Sequence, residues 1–281
     1  QKINMTSNGS LANSTSATQI KCSAGRYGDS EGLRSAECSV DCVDGLCTVA
    51  SQCTQGYYCP LGSVSSRERK CGNASVYCPV GSPLPVVAPP GYYTVNGETV
   101  IGQISAVVSD EETRGKILVC PKGHYCTGGV KIKCPRGTYG ATKGLFTKEC
   151  SGQVDPGHWS NEATMSARER KCQPGRYAGS PASTSAECEG PCLKGYYCPA
   201  GSISSSEKHC GSANVFCPVG SARPSRVSRG YYSVDTHGNN LTSSATTRTK
   251  QLQCPVGSYC TKGVRKVCPA GRYGGTMGLH S

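Results

Sequence analysis

The stretch Cys192-Leu-Lys-Gly-Tyr-Tyr-Cys198-Pro-Ala-Gly-Ser202 decides the fold, because it repeats an earlier stretch almost residue for residue. Its counterpart is Cys53-Thr-Gln-Gly-Tyr-Tyr-Cys59-Pro-Leu-Gly-Ser63, displaced by 139 residues. The correspondence continues downstream, where the segment Cys71–Cys78 matches Cys210–Cys217. Self-similarity at a fixed displacement is the signature of a repeat architecture. The chain therefore contains two long copies of one cysteine-bearing unit.

A second spacing, of sixteen residues, marks a recurrent opening unit with the pattern Cys-x-x-Gly-x-Tyr and a later partner cysteine. It occurs as Cys22/Cys38, Cys134/Cys150 and Cys172/Cys188. A fourth copy opens at Cys268, and its partner is expected three residues beyond Ser281. We therefore expect Cys268 to be unpaired within this chain and the chain to be an interior length of a longer protein. An intermolecular bridge at Cys268 is the alternative.

The remaining cysteines fall into local groups of even number. After Cys150 the chain has Val154 and Ser160 where the full copy has Cys192 and Cys198, and the equivalents of Cys210 and Cys217 are missing too. This joint absence predicts that the four bond among themselves, a set that allows three connectivities. By the same reasoning the other groups are Cys53, Cys59, Cys71 and Cys78; Cys120 with Cys126; Cys254 with Cys260; and two extra cysteines among Cys42, Cys47 and Cys53.

The composition excludes a conventional hydrophobic core. The 281 residues include 21 Cys, 36 Gly and 17 Pro but only two Phe and one Trp, and Leu, Ile, Val and Phe together make up about 15%. A disulfide that encloses about 15 residues adds roughly 3 kcal/mol, so cross-links replace the missing core. Such a cysteine density persists only in oxidising surroundings. We expect small disulfide-rich β modules in tandem, an elongated rod with little helix and no single large core, secreted, extracellular or on the cell surface.

Segment boundaries follow the cysteine groups. The predicted segments are a glycosylated linker 1–21, a cysteine-rich module 22–78, a long loop or hairpin 79–119, a reduced module 120–171, a module 172–217, a second long loop or hairpin 218–253 and an incomplete module 254–281. The two long segments contain no cysteine, and we expect them to carry an extra β-hairpin or to serve as exposed contact surfaces. No apolar run is long enough to span a bilayer, so we expect no membrane insertion.

No constellation of side chains indicates catalysis. The histidines are scattered and have no recurring Ser, Asp or Glu partner, so we expect them on the surface. They are His124, His158, His209, His237 and His280. The cysteines lack the Cys-x-x-Cys knuckle of zinc sites. We expect no enzyme activity, no metal and no cofactor apart from covalent glycans.

Several features indicate what the surface carries. Asn-x-Ser/Thr sequons mark expected N-glycosylation sites. They are Asn4, Asn8, Asn13, Asn73 and Asn240. The basic runs Arg67–Lys70 and Arg168–Lys171 contribute to a net charge of +12, and they are either solvated faces or contacts for anionic polysaccharide or acidic neighbours. Nucleic acid is not expected as a partner. The recurring tyrosines are expected to pack over disulfides, with sugar stacking by Tyr58 or Tyr197 as the alternative.

The run Cys-x-x-Gly-x-Tyr…Cys-x-x-x-Cys-x-x-Gly-Tyr-Tyr-Cys-Pro-x-Gly-Ser resembles the ephrin-receptor-like cysteine-rich repeats, relatives of the tumour necrosis factor receptor modules. The resemblance covers roughly residues 20–281. It implies an elongated rod of small β modules with a first-to-second cysteine bond in each opening unit. It also implies interlaced bonds in the following block, Cys192 to Cys210 and Cys198 to Cys217.

Tandem arrays of this type are also similar to those in very large surface proteins of algae and other protists. These include the mastigoneme glycoproteins, which form hair-like filaments on flagella. We therefore expect a structural extracellular glycoprotein that associates with itself or with neighbouring modules of the same protein into a surface fibre. The alternative is a ligand-binding ectodomain of a cell-surface receptor or adhesin, because one scaffold serves both roles.

Overall fold

The computed structural model describes residues 19–29, 38, 40–43, 46–49, 51–96, 112–240 and 246–281, with the backbone alone for 40–43 and 46–49. Every regular element in these ranges is a short β-strand, and none of the described residues is helical. The chain thus folds as small disulfide-rich β modules, as the sequence predicts. The backbone divides into two compact units, Gln1–Ala88 with Thr94–Leu118, and Pro89–Tyr93 with Val119–Ser281.

The strands pair consecutively along the chain as two-stranded antiparallel sheets, β1 with β2, β3 with β4 and so on to β23 with β24. They stay short because Gly and Pro bound nearly every pair of aromatic or β-branched residues. In chain order the strands are β1 Val40–Val43, β2 Leu46–Val49, β3 Tyr57–Tyr58, β4 Arg69–Lys70, β5 Val76–Tyr77, β6 Val86–Val87, β7 Tyr92–Asn96, β8 Arg114–Val119, β9 His124–Thr127, β10 Val130–Lys133, β11 Thr138–Tyr139, β12 Gly152–Gln153, β13 His158–Trp159, β14 Arg170–Lys171, β15 Arg176–Tyr177, β16 Gly190–Pro191, β17 Tyr196–Tyr197, β18 Lys208–His209, β19 Val215–Phe216, β20 Ser225–Arg226, β21 Tyr231–Val234, β22 Lys250–Gln253, β23 Ser258–Thr261 and β24 Val264–Val267.

One seven-residue turn recurs along the chain, and we call it the glycine turn because its fourth residue is a left-handed glycine. In Cys192–Cys198 this residue is Gly195, with φ of 84°. A Cβ there would lie 3.0 Å from the carbonyl oxygen of Thr247, so both conformation and space require glycine. The glycine turns are centred on Gly25, Gly56, Gly91, Gly123, Gly137, Gly157, Gly175, Gly195, Gly230, Gly257 and Gly271, with φ between 76° and 87°.

Backbone hydrogen bonds link glycine turns to the segments that follow them. The amide of Cys210 donates to the carbonyl of Gly195 at 3.0 Å, and the amide of Gly195 donates to the carbonyl of Cys217 at 2.8 Å. The carbonyl of Gly175 likewise accepts a hydrogen bond from the amide of Cys192, at 2.9 Å. The same backbone pattern therefore recurs where a glycine turn meets the segment after it.

The disulfides pair cysteines that are close in sequence. Those of the opening units join Cys22 to Cys38, Cys134 to Cys150 and Cys172 to Cys188, the pairs that the sixteen-residue spacing predicts. The others join Cys53 to Cys59, Cys71 to Cys78, Cys120 to Cys126, Cys192 to Cys198, Cys210 to Cys217 and Cys254 to Cys260.

The interlaced pairing implied by the family resemblance, Cys192 with Cys210 and Cys198 with Cys217, is wrong. The glycine turn around Gly195 brings the Cα atoms of Cys192 and Cys198 to 5.8 Å. The Cα atoms of Cys210 and Cys217 lie 5.7 Å apart. Both separations are within the span of a disulfide, so each cysteine bonds to its neighbour in sequence.

Three further cysteines complete the inventory. Cys42 and Cys47 are opposite each other in the backbone register of β1 and β2, and their side chains lie outside the described residues. Cys53 is bonded to Cys59 and so is not one of the extra pair. Cys268 is half-buried and forms no disulfide within the described part of the chain.

Sulfur rather than hydrocarbon forms the core of the modules. Most of the bonded cysteines are inaccessible to solvent, and Val154 and Val234 are the large aliphatic side chains buried with them. Many other aliphatic side chains are exposed, among them Val64 and Ile203. Disulfides thus fill the interior that Leu, Ile and Phe side chains fill in an ordinary domain.

Each long cysteine-free segment contains a hairpin, formed by β7 with β8 in the first segment and by β21 with β22 in the second. A buried arginine lies at the second one, where Arg248 is 0% exposed. Its guanidinium donates to the carbonyl of Ser233 at 2.7 Å, and its own carbonyl accepts from the amide of Cys217 at 2.9 Å. Burial lowers the pKa of Arg248, and the nearby Asp235 carboxylate opposes that effect.

Arg114 repeats this arrangement in the first long segment. It is 7% exposed, and its guanidinium donates to the carbonyl and to the hydroxyl of Thr94 at 2.8 Å and 2.9 Å. Its carbonyl accepts from the amide of Cys78 at 2.8 Å. Thr94 and Ser233 are equivalent residues, so the buried arginine is part of the repeat. It holds the end of a glycine turn that has no disulfide.

Candidate functional site

The histidines singled out from the sequence do not converge on a site. His209, His237 and His280 are exposed, whereas His124 and His158 are half-buried, each within 3.2 Å of a backbone carbonyl two residues earlier. Among the described residues no group of three or more His, Cys, Asp or Glu side chains could hold a metal ion. The described ranges also contain no helix that could cross a membrane.

The two basic runs are engaged within the fold. The carboxylate of Glu68 accepts a hydrogen bond from the amide of Val64 at 3.3 Å, and Glu169 accepts one from the amide of Met165 at 3.2 Å. The guanidinium of Arg170 stacks 5.1 Å from the ring centre of Trp159, a cation–π contact across the hairpin. These runs therefore stabilise their own turns. Tyr57 and Tyr93 contact cations, and the ring of Tyr196 lies 5.0 Å from the ring of His209. That tyrosines pack over disulfides stays a prediction.

An open cleft of about 460 Å³ lies in the second copy. Its lining includes Asn214 and Tyr231 together with three exposed basic residues. These are Arg229, Lys262 and His280. No aspartate or glutamate is among the described residues that line it. The cleft is thus a positively charged depression with one aromatic ring.

The first copy has neutral residues at the three equivalent positions. Displacements of 139 and 134 residues relate Arg229 to Pro90, Lys262 to Gly128 and His280 to Phe146. Arg229 and Lys262 belong to none of the motifs found in the sequence, and His280 was expected to be an ordinary surface residue. Aligning the two copies position by position would have found all three. The signal is a change from neutral to basic at sites that are close only in space.

Lys262 has an unusual backbone conformation. With Gly263 it forms the two-residue turn between β23 and β24, in which Thr261 pairs with Val264. Both turn residues have positive φ, 51° at Lys262 and 76° at Gly263, which defines a type I′ hairpin. The first copy has Gly128 and Gly129 in the same conformation, with φ of 54° and 72°. The second copy thus places a lysine where the backbone favours glycine.

Two sequons lie within the described residues, and they differ in their surroundings. Asn73 is exposed, and its side-chain oxygen accepts hydrogen bonds from the Ser75 amide at 3.0 Å and hydroxyl at 2.5 Å. Asn240 is half-buried, and its Nδ2 lies 3.5 Å from the carbonyl of Arg265. A glycan attached to Asn240 would displace this contact, whereas Asn73 is exposed. Asn4, Asn8 and Asn13 lie outside the described residues.

The second copy exchanges the residues of the Asn73 sequon. Ser212 stands in the place of Asn73 and Asn214 in the place of Ser75. The hydrogen bond survives the exchange, since the Ser212 hydroxyl donates to the Asn214 side-chain oxygen at 2.5 Å. Because Phe216 follows two residues after Asn214, the sequon is lost. The two copies therefore share this local structure but not the acceptor site.

Comparisons with known proteins do not assign the chain. No protein-family model matches it, and no curated protein does.

Proposed function

We propose that the chain is part of a structural extracellular glycoprotein, a tandem array whose copies assemble into a surface fibre of the mastigoneme kind. In this proposal it has no enzyme activity, and its partners are other copies or neighbouring modules of the same protein. The disulfide-rich β architecture fits an extracellular or secreted protein, because such bonds persist in oxidising compartments. Glycans on the sequons are its covalent modifications.

One observation carries the proposal, a large apolar side chain exposed at the same position of several modules. Val64, Met165 and Ile203 are equivalent residues, and their exposed fractions are 65%, 55% and 54%. The amide of each donates to a glutamate carboxylate four residues later, which fixes its place in the turn. Repeated exposed apolar groups in a chain this poor in them favour association between surfaces.

The test measures assembly of the secreted chain by sedimentation and negative-stain electron microscopy. We expect concentration-dependent oligomers, and we expect the variant V64S/M165S/I203S to reduce the assembled fraction severalfold. The matched control L84S/V256S/M277S removes exposed apolar side chains that do not recur in this way. Monodisperse monomers at every concentration, or equal loss in both variants, would overturn the proposal.

The second candidate function is a ligand-binding ectodomain of a receptor or adhesin. The observation that favours it is the basic cleft of the second copy, with Arg229, Lys262 and His280 in its lining. A monomeric chain that binds a ligand at this cleft and does not assemble would support this candidate over the fibre.

A further inference from the structure

We propose that the basic cleft binds the sulfate or carboxylate groups of an anionic extracellular polysaccharide. The inference rests on the proposed extracellular location and names the ligand that a fibre or an ectodomain would meet there. Fibre assembly and saccharide binding are measured separately, so either proposal can fail without the other.

The first support is the distribution of charge. The cleft gathers the cations Arg229 and Lys262 and the titratable His280, and the described lining has no carboxylate side chain to neutralise them. Guanidinium and ammonium groups form strong charge-assisted hydrogen bonds with sulfate and carboxylate oxygens. The equivalent residues of the first copy, Pro90, Gly128 and Phe146, provide none of these donors. The charge is therefore a property of one copy and not of the repeated scaffold.

The second support is backbone strain at Lys262. Its φ of 51° lies in the left-handed region. This conformation is unfavourable for a residue that has a Cβ atom, and glycine at the same place would avoid the cost in free energy. The adjoining position 263 must itself be glycine, because a Cβ there would overlap the carbonyl oxygen of Ala213. A strained residue that persists where a glycine would fit is a sign of function, and here it carries an ammonium group at the cleft.

The third support distinguishes a saccharide from an acidic peptide. Hydroxyl and amide groups of Ser228, Thr261 and Asn214 lie among the cations of the lining, and these match the many hydroxyls of a sugar. The half-buried ring of Tyr231 offers a face for a pyranose. An acidic peptide would need cations but would leave this ring and these hydroxyl groups unused.

The experiment measures binding of fluorescent oligosaccharides to the whole chain, which carries a short Gly-Ser extension so that Ser281 has no terminal carboxylate. The probes are a sulfated oligosaccharide, a polyuronate oligosaccharide, neutral dextran and poly-glutamate. We expect a sulfated or uronate probe to bind, with affinity that falls as salt rises. Preference between those two probes identifies the anionic group. Equal binding of dextran, or binding of poly-glutamate alone, would overturn the proposal.

The variant R229P/K262G/H280F installs the residues of the first copy, which the same turns already accommodate. We expect it to lower affinity about tenfold or more, because the charge-assisted bonds are lost. The control R136Q/K194Q removes two exposed cations outside the cleft and should change affinity less than about twofold. Equal effects of the two variants would contradict a localised site.

The single variant K262G separates function from structure. If Lys262 serves the ligand, glycine there relieves the left-handed strain, so the melting temperature is kept or raised while affinity falls. If Lys262 only stabilises the turn, K262G should lower the melting temperature and leave the affinity unchanged. That result would remove Lys262 from the proposed site.

Discussion

Two glycine turns of the same shape, Cys192–Cys198 and Val227–Ser233, are closed by different means. Their central glycines have φ of 84° and 77°. In both turns the glycine carbonyl accepts a hydrogen bond from a later cysteine amide, at 3.0 Å in the first and 2.8 Å in the second. A disulfide closes the first, whereas the buried guanidinium of Arg248 binds the last carbonyl of the second. The glycine and the backbone bonds therefore set the shape, and the closure is exchangeable.

The turn Val154–Ser160 is closed in a third way. Val154 is 0% exposed and takes the place of the first cysteine. The Ser160 hydroxyl accepts from the amide of Gly137 at 2.9 Å and donates to the carbonyl of Thr138 at 3.0 Å. Packing and two hydrogen bonds substitute here for the disulfide. The absence of cysteines in this unit is thus compatible with the same fold.

The largest expected effect is on the arginine-closed turn. Replacing Arg248 by Met (R248M) leaves the buried Ser233 carbonyl without the guanidinium that binds it, so we expect the free energy of unfolding to fall by roughly 3 kcal/mol. Thermal unfolding and hydrogen exchange across residues 227–234 measure it. The exposed Arg226 provides the control R226A, which should melt like the parent chain. Parent-like melting of R248M would show that the turn needs no closure.

The next effect concerns the disulfide-closed turn. The variant C192V/C198S carries the residues of the third turn. We expect its free energy of unfolding to fall by about 2 kcal/mol, because the unfolded chain is no longer restricted by the cross-link. The comparison variant C192S/C198S should lose more, because its first hydroxyl replaces an apolar side chain in a buried site. Chemical unfolding of both under non-reducing conditions checks the order. Equal stabilities would mean that packing at the first position is irrelevant.

A gain of stability should follow from the reverse exchange. The variant V154C/S160C is expected to form a disulfide in the third turn and to raise the free energy of unfolding by about 1 kcal/mol. Engineered disulfides often stabilise less than the loss of chain entropy in the unfolded state predicts. Mass measurement under non-reducing conditions verifies the bond, and thermal unfolding gives the gain. The single variant S160C is the control for losing the hydroxyl. Two free thiols in V154C/S160C would contradict the equivalence of the turns.

A smaller effect depends on pH and concerns Asp235, a buried carboxylate that follows β21. Burial alone would raise the pKa of Asp235, but hydrogen bonds from the amides of Asn239 and His237 hold the pKa below its ordinary value. A lowered folded-state pKa stabilises the fold above the ordinary aspartate pKa, and this stability is lost as pH falls through the folded pKa. D235N should therefore melt below the parent at pH 7, with the difference shrinking in acid.

The control for that titration is D155N, because Asp155 is a more exposed carboxylate that pairs with Arg168. Exposed pairs contribute little to stability, so its melting temperature should change little at either pH. A gap between D235N and the parent that stays constant from pH 7 to strongly acidic conditions would contradict the assigned role of Asp235.

The smallest effect on stability accompanies a change in modification. The double variant S212N/N214S gives the second copy the residue order of the first and so creates a sequon at position 212. We expect a new N-glycan there with little change in melting, since the same hydrogen bond joins the two residues in both orders. Glycopeptide mapping after secretion measures it, with N73Q as the control that removes the native site. An unmodified position 212 beside a glycosylated Asn73 would show that the local geometry is insufficient.

Much of the architecture could be predicted from the sequence, because its determinants are local. The cysteine spacing predicts the Cys172–Cys188 type of bond, and Gly-Tyr-Tyr between Gly and Pro predicts short strands. The pairing inside the four-cysteine block could not be derived this way, since the spacing permits several partners. The family resemblance then selected the interlaced pairing, which the structure contradicts.

The sequence by itself determined the repeat and the local groups of cysteines. Only the tertiary structure decided which cysteines pair inside the four-cysteine blocks, that Arg114 and Arg248 are buried, and that Arg229, Lys262 and His280 share one cleft. The physical reason is range. A turn depends on residues a few positions apart, whereas a buried charge and a binding cleft depend on distances in space between segments far apart in the chain. The four cysteines of a block are all close in sequence, so only the folded backbone decides between their possible pairs.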